Sequence, residues 1–205
     1  MVWKRAREIS HEWDEETLTK RYRGVDIPTV VERALRPPKG LEQGHATVDA
    51  IRAAMYRIDT YDGGKYQRSY RQVLGTESIL ASLAAFIYGD CFAANELIIK
   101  KRNGWKTLHN GLILSAPRRI GKTIMCAILF SALIVACLNI DITCISASAN
   151  AAGSEIGILG KVRRFLENIF KITSFENKNK THIIYKVSHN DIRQIHSFSG
   201  KVGDG

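Results

Sequence analysis

The chain has 205 residues, 45% hydrophobic and 24% charged, enough to bury a core in one domain or in one domain with an extension, which excludes the disordered and collagen-like classes. Thirty Lys and Arg against twenty Asp and Glu give a formal net charge of +10, so a polyanionic partner, nucleic acid or nucleotide, is expected. The longest apolar stretch, Ile124–Leu138, is broken only by Ser131 and falls short of the roughly 18 to 20 residues of a bilayer span.

The N-terminus, MVWKRAREISHEWDEE, has no apolar run behind its basic residues and is not a secretory signal. Cys91, Cys126, Cys137 and Cys144 lie in apolar surroundings without a CxxC pair or metal-like spacing, so they read as reduced core residues. The expectation is a soluble, intracellular protein with no membrane partner.

Residues 1–64 read as a helical lead-in. Pro28 opens a short helix that Pro37-Pro38-Lys39-Gly40 closes, and a longer one follows Thr47, with Val48, Ile51, Met55 and Ile58 at helical spacing up to Asp62-Gly63-Gly64. From Lys65 a helix runs through Arg71, and Ile79, Leu80, Leu83, Phe86 and Ile87 share a face behind Thr76 as candidate N-cap. Phe92–Lys101 is a further helix, stopping at Asn103-Gly104.

After Trp105 strands and helices alternate. Gly111–Ser115 (GLILS) is expected as a short buried strand, Gly121–Leu138 as an apolar helix, Asp141–Ser146 as a second strand and Asn150–Phe170 as a helix. His182–Val187 and Ile192–Phe198 are expected as strands, hairpinned across Ser188-His189-Asn190-Asp191. The order implies an α/β fold with a parallel sheet and helices on its faces.

Between the expected GLILS strand and the apolar helix lies Ala116-Pro117-Arg118-Arg119-Ile120-Gly121-Lys122-Thr123. A strand, a loop ending in Gly-Lys-Thr and a helix is the arrangement of a phosphate-binding loop, in which backbone N–H groups and the helix dipole face phosphate oxygens. There Gly121 permits close backbone approach, Lys122 reaches the β and γ phosphates, and the Thr123 hydroxyl ligates Mg²⁺. Ala116 stands where the general pattern has its first Gly. Arg118, four residues before Lys122, is a candidate arginine finger in cis, and Arg119 is a second candidate at the nucleotide; exposed loop cations are the alternative for both.

The string LILSAPRRIGKT with its helix resembles the ATPase domain of the large terminase subunit, the DNA-packaging motor of tailed phages and herpesviruses, and its PRRxGKT form is nearest to the herpesvirus branch. In that family a small residue at the first loop position is usual and an early Arg or Lys is characteristic. DITCIS with ASANAAGSEIG resembles the family's second strand and small-residue turn, and IRQIHSFSGKVGDG resembles the strand and loop preceding its Walker B strand. Upstream, Tyr66-Gln67-Arg68 resembles the adenine-reading element, with Gln67 on the base; a polar helix patch is the alternative.

The resemblance covers about residues 65–205. It implies a P-loop NTPase three-layer sandwich over these residues, ATP and Mg²⁺ as cofactors, and hydrolysis coupled to translocation of duplex DNA into a capsid. It also implies portal and small terminase subunits as partners, a homo-oligomer on the capsid, and the host nucleus for a herpesvirus-like member. A helicase-type P-loop motor, or a nucleotide- or DNA-binding module without hydrolysis, are the other readings.

Hydrolysis in this class needs an Asp that holds Mg²⁺ and a neighbouring Glu that orients water. The acids after Thr123 are Asp141, Glu155, Glu167, Glu176, Asp191 and Asp204, and no two are adjacent. The chain is therefore expected to be a piece ending before Walker B and not competent alone. His182, His189 and His196, seven apart, lie on two strands and a turn and need not converge, so no metal is expected of them. Lys178, Lys180, Lys186, Arg163 and Arg164 are candidate contacts to DNA phosphates, or simply solvated.

Overall fold

The computed structural model describes residues 40–113, 115, 120–146, 157–178 and 181–199. The helix expected from Pro28, with Pro37-Pro38-Lys39, lies outside these residues, as do 114, 116–119, 147–156 and 200–205.

Helix α1, Leu41–Thr60, starts well before Thr47. Thr47 is not a cap: its hydroxyl donates to the Gln43 carbonyl one turn back, at 2.9 Å. The chain enters α1 through Gly40 at φ +65° and leaves it through a 3₁₀ turn, Tyr61–Gly64, where Asp62, Gly63 and Gly64 all have positive φ. That is where the Asp-Gly-Gly signal placed the stop.

Helices α2 (Tyr70–Ser82), α3 (Ala84–Tyr88) and α4 (Phe92–Asn103) follow. The cap of α2 is Ser69, not Thr76. Ser69 forms a capping box with Gln72, whereas Thr76 is buried in mid-helix and bonds back to the carbonyls of Gln72 and Val73. Helix α4 ends as expected, on Gly104 in the left-handed conformation.

Helix α5, Lys122–Ala136, is the central apolar element; its one buried polar side chain, Ser131, donates to the Ala127 carbonyl at 2.8 Å. Strand β1 is Asp141–Ser146, α6 is Ile158–Asn168, and β2 (Asn177–Lys178), β3 (His182–Ser188) and β4 (Asp191–Ser199) complete the described elements. The part of the expected Asn150–Phe170 helix before Gly157 lies outside the described residues.

The sheet runs β1-β4-β3-β2 and is mixed, not parallel. Only β1 and β4 are parallel, from Asp141 opposite Gln194 to Ser146 opposite Ser199; β4–β3 and β3–β2 are antiparallel. The tight hairpin makes β3 and β4 antiparallel, so only one of them can run parallel to β1, and that strand is β4.

The expected GLILS strand is not found over its described residues. Residues 111–113 and 115 form no strand, and the Ile113 side chain is 96% exposed. Among the described residues β1 is paired on its β4 side alone, so this apolar run has not joined the edge that β1 leaves open, and composition by itself does not make a strand.

Helix α5 packs between α1 and α6, and α6 lies against β3 and β4. One hydrophobic cluster joins Ile51 and Met55 of α1, Leu80 of α2, Ile128 and Leu129 of α5, Phe165 of α6, and Ile183 and Ile195 of the sheet. Residues 41–60 are thus in the same core as the rest. Along β4 burial alternates: Asp191, Arg193, Ile195 and Ser197 face inwards, Ile192 and Phe198 are exposed. No single described helix is long and apolar enough to cross a membrane.

Candidate functional site

The sequence places its strongest signal at the start of α5, and three residues of it are on a helix N-terminus as expected. Gly121 is the N-cap, at φ +78° and ψ +29°, and Lys122 and Thr123 open the first turn with exposed side chains. A glycine cap has no side-chain oxygen with which to take the first-turn amides, and this turn contains no acid. The result is a cationic first turn at the positive end of a 15-residue helix. Ala116, Pro117, Arg118 and Arg119 lie outside the described residues.

The last loop residues are held by a side chain that sequence reasoning passed over. Gln72, in the first turn of α2, donates from Nε2 to the Ile120 carbonyl at 3.0 Å and to the Gly121 carbonyl at 3.4 Å. Its Oε1 accepts the Ser69 amide at 2.7 Å. The findable signal was Ser-x-x-Gln at positions 69–72, a capping box, but nothing local to it points at a loop 48 residues away.

The Tyr66-Gln67-Arg68 element divides into three roles. Arg68 clamps Asp59 through Nε and Nη2 (3.0 and 2.7 Å) and donates from Nη1 to the Thr76 hydroxyl at 2.7 Å, tying α1 to α2. Tyr66 meets the Phe165 ring edge-on at 5.0 Å and stacks with Tyr61 at 6.4 Å. Gln67 has an exposed side chain, and its backbone amide closes on the Gly64 carbonyl at 2.9 Å.

The opposite end of α5 is also anchored. Arg193, on β4 and 2% exposed, donates from Nη1 to the carbonyls of Ile134 (2.9 Å) and Val135 (2.6 Å). Asp191 holds the same guanidinium and also accepts the Asn139 amide at 3.0 Å. Asp191 is therefore a structural partner. Of the other described acids beyond Thr123, Asp141 accepts from the Gln194 amide at 2.8 Å and Glu176 lies 4.0 Å from Lys186.

A second buried network joins α1, α2 and α4. Arg52, 2% exposed, binds both Glu77 oxygens (3.0 and 2.6 Å), the Asn103 side chain and the face of Trp105, whose Nε1 donates to Glu77. Asn103 donates to the Tyr88 hydroxyl, which is also hydrogen-bonded to His45 Nδ1 at 2.8 Å. Burial, then the Arg102 charge, holds the His45 imidazole below its ordinary 6.5, against Asp49 and Glu42.

His182 and His196 are cross-strand neighbours with ring centroids 5.7 Å apart, while His189 sits in the turn; among the described residues no group of three or more His, Cys, Asp or Glu forms a metal set. All four cysteines are free thiols. Burial pushes Cys137 up to about 12 and Cys144 up to about 11. Of the candidate DNA-contacting residues, Arg164 and Lys186 are exposed, and Lys180 lies outside the described residues. Compared with models of known families, with curated proteins and with solved structures, the chain matches none.

Proposed function

We propose that this chain is the nucleotide-binding part of a P-loop ATPase of the large-terminase type, the motor class that moves duplex DNA into a capsid. The observation that carries the reading is Gly121-Lys122-Thr123 at the head of α5: a left-handed glycine cap that supplies no side-chain acceptor, followed by an exposed lysine and threonine. These residues fit a triphosphate with Mg²⁺. At Gly121 a Cβ would come within 2.5 Å of Gln72 Nε2, so the position accepts only glycine without rearrangement, and the first turn offers amides, a cation and a hydroxyl together.

In this reading the amides of the first turn and the Lys122 ammonium bind the β and γ phosphates, and Thr123 holds the metal. Bound Mg²⁺ neutralises charge on the phosphates. Gln67 faces the base, and Arg118 is the residue assigned to the γ-phosphate. The mixed α/β architecture is compatible with a P-loop sandwich, whose three-layer form is part of the proposal.

The test is binding of a fluorescent ATP analogue to the 205-residue chain, with Lys122→Ala as control. Binding that Mg²⁺ strengthens and Lys122→Ala abolishes is the expected result. Equal binding by both proteins overturns the reading.

A further inference from the structure

We propose that Gln72 is the positioning residue of this loop; the inference rests on reading Gly121-Lys122-Thr123 as a phosphate site. The Gln72 side-chain amide is used at both ends. Oε1 accepts the Ser69 N–H and completes the cap of α2, while Nε2 donates to the carbonyls of Ile120 and Gly121. A single side chain therefore fixes the start of α2 and the last turn before α5 against each other.

The consequence follows from peptide geometry. In a trans peptide the C=O and N–H point in opposite directions, so holding the Ile120 oxygen towards α2 turns the Gly121 N–H away from it. The Gly121 carbonyl is held by Gln72 and also accepts the Met125 amide at 3.0 Å, which directs the Lys122 N–H outwards, ahead of the helix. Gln72 thus does two things for an anion. It draws the Ile120 carbonyl out of the approach path and so sets the Gly121 N–H into it, and it reinforces the helix's own hold on the Gly121 carbonyl, behind which the Lys122 N–H points outwards.

The chemistry required is specific to glutamine. A carboxylate at position 72 accepts the Ser69 amide equally well, but has no proton to give the loop carbonyls. An apolar residue of similar length does neither. The left-handed backbone of Gly121 is part of the same device, because only a residue without a Cβ lets the Gln72 amide come this close.

The experiment uses the whole chain with Gln72→Glu, Gln72→Met and Ser69→Ala. Two readouts are taken: affinity for inorganic tripolyphosphate, and hydrogen exchange over residues 120–126 and 70–75. Both Gln72 variants are expected to lose about tenfold or more in affinity and to exchange faster over 120–126, the scale of one or two lost hydrogen bonds and a misdirected loop. Ser69→Ala is expected to loosen 70–75 and leave affinity unchanged.

Three results overturn the role: unchanged exchange over 120–126 in the Gln72 variants, an affinity loss confined to the charged Gln72→Glu, or an equal loss in Ser69→Ala. Should the wild type fail to bind tripolyphosphate in a Lys122-dependent way, the nucleotide reading falls. Faster exchange over 120–126 in both Gln72 variants then still supports Gln72 as the residue that sets this loop.

Discussion

The guanidinium of Arg193 donates to the Val135 carbonyl at 2.6 Å and so closes the C-terminal end of α5, the helix whose other end carries Lys122. An always-charged side chain at a helix C-terminus complements the dipole, and here it is buried, with Asp191 as its counter-ion. Arg193→Met leaves Asp191 as an unpaired buried charge and two carbonyls without their donor. The expected cost is about 3–5 kcal/mol, read as a lower urea midpoint at unchanged slope. A midpoint within error of the wild type would show that the pair carries no net stability.

His45 makes stability depend on pH. Its folded pKa lies below 6.5, so above that value folded and unfolded chains both hold it neutral and no penalty arises. As pH falls through 6.5 the unfolded chain takes a proton first, and stability is lost progressively towards the folded pKa. His45→Asn removes the titration. The wild type should lose more thermal stability than this variant between about pH 7.5 and 5.5; parallel profiles would refute the assignment.

The four thiols should separate by burial. Cys137 and Cys144, raised to about 12 and about 11, present almost no thiolate at about pH 8 and should resist a disulfide reagent in the folded protein. Cys91 is only partly covered and should label first. Rapid labelling of Cys137 without denaturant would mean that the core around α5 opens readily.

The net charge of +10 predicts weak, sequence-independent binding of duplex DNA. Affinity should fall steeply between about 50 and 200 mM salt, as counterion release requires. A fluorescence-anisotropy titration reads this directly, and a flat salt response would remove DNA contact from this chain.

Much of this molecule is written in short-range pattern. The apolar run behind Gly121-Lys122-Thr123 reads as a buried helix, Asp141–Ser146 as a short β-branched strand, and the β3–β4 hairpin follows from two strand patterns around a four-residue polar break. In each case the deciding physics lies within a few residues: helical or two-residue periodicity, a glycine at positive φ, a cap. Tertiary structure decided what needs a distant partner. Residues 111–113 and 115 of GLILS have the composition of a strand but pair with no described strand, the sheet is mixed because an antiparallel β3–β4 hairpin lies beside the parallel β1–β4 pair, and Thr76 is a buried acceptor for Arg68 instead of a cap. The bond from Gln72 to the Ile120 carbonyl, and that from Arg193 to the Ile134 carbonyl, likewise exist only because the fold brings α2 to the loop before α5 and β4 to the end of α5. A hydrogen bond between residues some fifty positions apart leaves no local trace, because either partner alone satisfies a simpler pattern.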